Sequence, residues 1–318
     1  MNIHSPRQLV AAIPHLLGFQ PQESCVIVAF DQENIEAIVR CDWQNVSASD
    51  VASLNAEIRK AHNPSVVVIA YRNEIVERHE LDHVLDVIEE CSLLDLLMVS
   101  NGTWRSLMCE DSDCCPATGH ALEDMVDEIA VDFVLAGSAP FTSRESLEIS
   151  IASRALSADE AHERDLAFDV SADQEQCDVS QEVLPWLTSA IFGHKYLTWS
   201  DMAKLCQHVQ DFHYRDAVLR TLYDLPEKRL AARAQLIDLV GRAPKQFVPV
   251  LATVLAGCAW LDGNGAITRM AIDRALEADS DYGLARLLDR ALTFGVPPRV
   301  WAESLAAVSM DDCLAGAA

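Results

Sequence analysis

The chain has 318 residues, more than one domain usually needs, and half of them are apolar; 49 acidic side chains against 24 basic ones leave a formal net charge of −25. Such a surface repels phosphates, so nucleic acid is excluded as an expected direct partner. The apolar run Leu9–Ile13 is interrupted by Pro14, His15 and Gly18 before it reaches signal-peptide length, and no stretch is long and apolar enough to span a bilayer; a cytoplasmic protein with no membrane partner is expected.

Ser5-Pro6 reads as a helix cap followed by a first-turn proline, and Leu9, Ile13, Leu16 and Leu17 recur at helical spacing until Gly18 closes the helix. Cys25–Phe30 is a short, β-branched run suited to a buried strand, and the alternation of Ile35, Ala37, Val39 and Cys41 with polar residues predicts its hairpin partner. Ser47 or Ser49 caps an expected helix carrying Val51, Leu54 and Ile58, and Val66–Ala70 is the next buried strand. A helix over about 76–91 and a strand over 94–100 follow, the latter ending at Asn101-Gly102, a strong hairpin signal. With helices near 120–136 and 143–155, the order predicts an α/β domain with a mixed sheet over residues 1–156.

Residues 157–180 read as an acidic linker, because between Asp159 and Glu182 nine acidic residues face the single Arg164. From 181 to 318 strand signals vanish, and helices are expected at about 181–192, 199–210, 214–223, 227–240, 246–260, 265–278, 283–293 and 299–308. Within this all-α domain, Ala256–Trp260, the turn Asp262-Gly263-Asn264-Gly265, Ala271 and Ala275 form a tetratricopeptide-like helical hairpin, with a compact bundle as the alternative. A protein partner is expected through this domain, on fold-level grounds.

Seven of the ten cysteines (Cys25, Cys41, Cys91, Cys177, Cys206, Cys258 and Cys313) stand singly among apolar neighbours and read as reduced packing residues. The other three fall in one stretch, Arg105 to His120. Cys109, Cys114, Cys115 and His120 offer four zinc-type ligands there, although neighbouring side chains such as those of Cys114 and Cys115 tend to diverge. Two other readings stand beside a zinc site. In one, Arg105 activates a thiolate, against the opposing charges of Glu110, Asp111 and Asp113; in the other, the cysteines only pack beneath a Pro116–Gly119 turn.

Three further patterns bear on chemistry. His79-Glu80-Leu81-Asp82-His83 matches the zinc-protease HExxH spacing, but Leu81, Val84, Leu85 and Ile88 define the buried face of that helix, and the histidines fall opposite it. Asp262–Ala266 begins like a calcium loop and lacks the later ligands; no phosphate-binding glycine loop follows Phe30 or Tyr71. Asp42 and Arg40, near the end of the second expected strand, and Arg105, near the end of the last with Trp104 beside it, are candidate residues for a polar ligand, with a solvated or sheet-edge ion pair as the alternative.

Ile13-Pro14-His15-Leu16-Leu17-Gly18-Phe19, Trp104-Arg105-Ser106-Leu107, Cys114-Cys115-Pro116 and the Gly-Asn-Gly-Ala hairpin at 263–266 together resemble domain-of-unknown-function family 4192. That resemblance brings no activity and no catalytic residues. The expectation is a regulatory or protein-interaction protein with a cysteine-rich site; the alternative is an enzyme using a cysteine thiolate or a Cys/His-bound metal near residues 105–120.

Overall fold

The computed structural model describes residues 3–31, 34–43, 65–88, 91–122, 128–135, 138–173, 182–193, 196–294 and 296–315. Helix α1 (Pro6–Leu17) starts where expected, with the Ser5 hydroxyl accepting the Gln8 amide at 3.2 Å. It ends at Gly18, whose φ of +84° suits a residue without a Cβ and whose amide donates to the Pro14 carbonyl at 2.8 Å.

Strands β1 (Ser24–Asp31), β2 (Asn34–Asp42), β3 (Ser65–Tyr71), β4 (Ser92–Ser100), β5 (Thr103–Ser106) and β6 (His120–Ala121) form one sheet in the order β2-β1-β3-β4-β5-β6. Only the β3–β4 pair is parallel, so the sheet is mixed, as expected. The Asn101-Gly102 hairpin signal joins β4 to β5, both residues having positive φ. His120 and Ala121 correct one expectation: they pair with Trp104 and Thr103 as an edge strand instead of opening a helix, and the helix is described over α3, Glu128–Leu135. A two-residue strand carries too little periodicity to be read from sequence.

Both sheet faces are covered. Cys25, Ile27, Val66, Val68, Leu96 and Met98 pack against Val76, Leu81, Val84 and Ile88. The continuous helix expected over 76–91 is instead a 3-10 turn (Arg78–Leu81), a single α-turn α2 (Asp82–Leu85) and another 3-10 turn (Asp86–Ile88). Glu77 and Glu80 form a reciprocal capping box that delays the start, and the tighter winding keeps Leu81, Val84 and Ile88 on the sheet. His79 is exposed, and the side chain of His83 lies outside what is described. The helix expected from Ser47 or Ser49, with Val51, Leu54 and Ile58, also falls outside the described residues.

The opposite face, with Val26, Val28, Ile69, Leu97, Val99 and Trp104, shares one core with α1 and the helical half. The chain leaves the sheet through α4 (Arg144–Ile151) and α5 (Ala158–Asp173). Helix α5 occupies most of the acidic 157–180 segment and buries Phe168, whose ring lies 5.1 Å from that of Phe247. Then come α6 (Val183–Phe192), α7 (Trp199–Gln210), α8 (Phe212–Asp224), α9 (Arg229–Arg242), α10 (Val248–Leu261), α11 (Gly265–Ala278), α12 (Gly283–Thr293), α13 (Pro298–Ala306) and α14 (Met310–Leu314). Helix α10 is buried all round from Val248 to Trp260, making it the axis about which the others pack.

The Asp262–Gly265 turn is a helix connector, not a cation loop. Asn264 caps α11 by accepting the Ile267 amide at 2.9 Å, and its side-chain amide donates to the carbonyl of Leu16 in α1. Arg233 of α9 donates to the His15 carbonyl at 3.3 Å, and Ile267 lies so close to Gly18 that a Cβ there would meet it at 2.9 Å. The end of α1 is therefore gripped by the helical half. Among the described residues, no helix is long and apolar enough to cross a membrane.

A candidate thiolate metal centre and its cleft

The loop after β5 is shaped by hydrogen bonds to two acidic side chains. Asp95, in β4, accepts the Ser106 hydroxyl at 2.6 Å, and that hydroxyl oxygen accepts the amides of Met108 and Cys109, each at 3.1 Å. The Asp111 carboxylate accepts the amides of Asp113 at 2.9 Å and Cys114 at 3.4 Å, while its carbonyl accepts the Cys115 amide at 2.7 Å. These bonds curl residues 111–115 into a tight turn. Gly119, with φ +72°, closes the loop; a Cβ there would lie 3.0 Å from the Trp104 carbonyl oxygen.

The curl gathers the thiols. The sulfurs of Cys109, Cys114 and Cys115 all lie within 4.8 Å of one another, so the divergence expected of adjacent cysteines is overcome by the turn. Three thiolates around tetrahedral zinc, with Zn–S near 2.3 Å, would have sulfurs about 3.8 Å apart, a small rotamer adjustment from this arrangement. Cys114 is exposed and the other two are half-buried, whereas Cys25, Cys41, Cys206, Cys258 and Cys313 are buried; Cys91 is half-buried and Cys177 lies outside the described residues. The Cys109 thiol, by hydrogen bonding and charge, and then the Cys115 thiol push the Cys114 thiol up to about 11. In the metal-free loop Cys114 is a thiol at neutral pH, not an activated nucleophile.

His120 is near but not in this cluster. Its Nε2 lies 2.8 Å from the Cys114 carbonyl oxygen, which only accepts, so Nε2 carries the proton. The imidazole is tilted against the Trp104 ring at 5.0 Å. Trp104 is buried, and its indole N–H has no acceptor among the described residues. Trp104, Ser106, His120, the three cysteines, Asp95, and Pro6 and Arg7 of α1 line a cleft of about 700 Å³.

The other candidates are not brought to it. Arg105 and Trp104 alternate along β5, so Arg105 points to the opposite sheet face and does not line the cleft. Asp42 ends β2 at the far edge, paired with Arg40 at 2.5 Å; four strand spacings of ~4.8 Å put its strand about 19 Å from β5. Asp95 and Ser106 were missed as contributors. The signal for Asp95 is an acidic residue inside the apolar run Leu93-Leu94-Asp95-Leu96-Leu97.

No curated protein and no solved structure matches this chain. A family model described as a domain of unknown function, DUF4192, matches residues 6–299, which include α1, the cysteine loop and the Gly263–Ala266 turn, and the chain belongs to that family.

Proposed function

We propose that the protein binds a small ligand at a zinc–thiolate centre. Cys109, Cys114 and Cys115 supply three ligands, and the fourth position opens onto the cleft beside Trp104 and His120. The observation that carries this is the convergence of three sulfurs within 4.8 Å in a loop where none is fully buried. Cysteines used only for packing are normally buried, as the others of known burial largely are. Asp95 and Ser106 fix the loop from outside the metal shell, the role of the groups that orient metal ligands elsewhere. Zinc itself would hold the three thiolates deprotonated and accept a fourth donor.

Metal analysis of protein purified without chelator tests this. About one zinc per chain is expected, lost in both Cys109→Ser and Cys114→Ser while far-UV circular dichroism stays unchanged. Wild-type protein that holds no zinc after reconstitution, or variants that keep it, would overturn the proposal.

A protein partner on the helical half is a second proposal, favoured by the exposed Leu287 and Phe294 at α12.

A further inference from the structure

A second cavity adjoins the cleft. Pro6 and Asp95 line both, and the second, of about 330 Å³, runs between the start of α1 and the sheet. Its walls include Ile3, Leu9, Phe30, Val67, Leu94 and Leu97, with His4, Ser5 and Asp95 at the rim. Both are lined mostly by apolar atoms, but aliphatic and phenyl side chains supply them here, whereas the cleft adds thiols, an imidazole and an indole N–H.

The boundary between the two is polar and specific. Asp95 stands there with one carboxylate oxygen already accepting the Ser106 hydroxyl and the Leu96 amide, so that oxygen is occupied in holding the loop. Pro6 and Arg7 form the opposite lip at the N-terminal end of the twelve-residue α1, where the helix dipole favours negative charge. The sulfur cluster and the acceptor-less Trp104 indole lie in the same half.

We infer that the adjoining cavities bind a small amphiphile, with a carboxylate-type head at the cysteine loop and an unbranched aliphatic chain laid under α1 against Leu94 and Leu97. The hold on the head group rests on the zinc centre proposed above; the hold on the chain does not. Burial of successive methylenes is the source of affinity in the apolar half, and the charged head sets direction in the polar half.

Titration calorimetry of the full-length protein with acetate, butanoate, hexanoate and octanoate, zinc-loaded and zinc-stripped, tests this. On the zinc-loaded protein the dissociation constant should fall roughly threefold per added methylene from butanoate to octanoate. Leu94→Glu should weaken octanoate about tenfold and leave acetate binding and zinc content unaltered; Leu94 is 54% exposed, so the variant folds. Stripping zinc should weaken every acid by a common factor and preserve the chain-length slope. Equal affinity at all lengths, no binding at any length, or a slope untouched by Leu94→Glu would overturn the inference even if zinc is bound. A slope in protein that never holds zinc would support the apolar groove and sink the metal proposal alone.

Discussion

The cysteine loop and the Asp262–Gly265 turn are both short, distinctive and irregular, yet they differ in what their polar groups do. In the turn, Asn264 is 2% exposed and uses both ends of its amide, one on the Leu16 carbonyl and one on the Ile267 amide. Asp262 is half-buried between Arg229 at 3.2 Å and Arg233 at 3.8 Å, desolvation raising its carboxyl pKa against the pull of the two guanidiniums. In the loop, backbone amides are satisfied by Asp111 and Ser106, but among the described residues the three thiols have only one another and a long 3.9 Å contact from Cys109 to the Asp111 carbonyl. A motif whose polar side chains are turned onto neighbouring helices holds the fold; one that leaves soft ligands grouped at a cleft has capacity for something else.

Substitutions can break this contrast. Asn264→Ala removes a helix cap and orphans the part-buried Leu16 carbonyl, and should lower unfolding free energy by about 1–3 kcal/mol in urea denaturation, without affecting metal binding in the cold. A loss under 0.5 kcal/mol would mean the turn does not tie α1 to the helical half. Ser106→Ala should cost about 1 kcal/mol in the same assay, yet weaken zinc roughly 10–100-fold by freeing the Cys109 end of the loop. Unchanged zinc affinity would remove Ser106 from the metal site. The smallest effect concerns pH. Burial first, then Arg233, lowers the His15 pKa below its ordinary value near 6.5, and burial followed by Lys204 does the same for His208. The unfolded chain therefore binds more protons, and stability present above pH 6.5 should decline as pH falls from there toward the lowered native values. His15→Gln should shrink that decline; a thermal midpoint equal at pH 7.5 and 5.5 in the native protein would contradict it.

Local order was readable in the sequence and assembly was not. The Ser5 cap, the Gly18 stop, the β-branched runs of β1 and β3, the Asn101-Gly102 turn and the eight helices expected between 181 and 308 announce themselves within a few residues and form where expected, while the short α14 is not among them. The strand order does not follow from such signals. Asp42 and Arg105 both look like strand-end ligands, but β2 lands at the edge farthest from the cysteine loop, and alternation turns Arg105 to the other face. The cysteines themselves were readable as ligands. Their convergence was not, since it depends on the Asp111 turn pulling Cys115 back toward Cys109. Nor does helical phase reveal that 76–91 breaks into tighter turns to fit the sheet.

Helix α1 is a rod about 18 Å long at 1.5 Å per residue, and its two ends belong to different surroundings. The carbonyls of His15 and Leu16 are clamped by Arg233 and Asn264, while Pro6 and Arg7 form one bank of the cleft. The one rod joins both surroundings, with Pro14 between the clamped carbonyls and the lip, so α9 and α11 hold one end of the helix whose other end bounds that opening. The bank at Pro6 thus belongs to a helix anchored at its far end by residues that do not line the cleft.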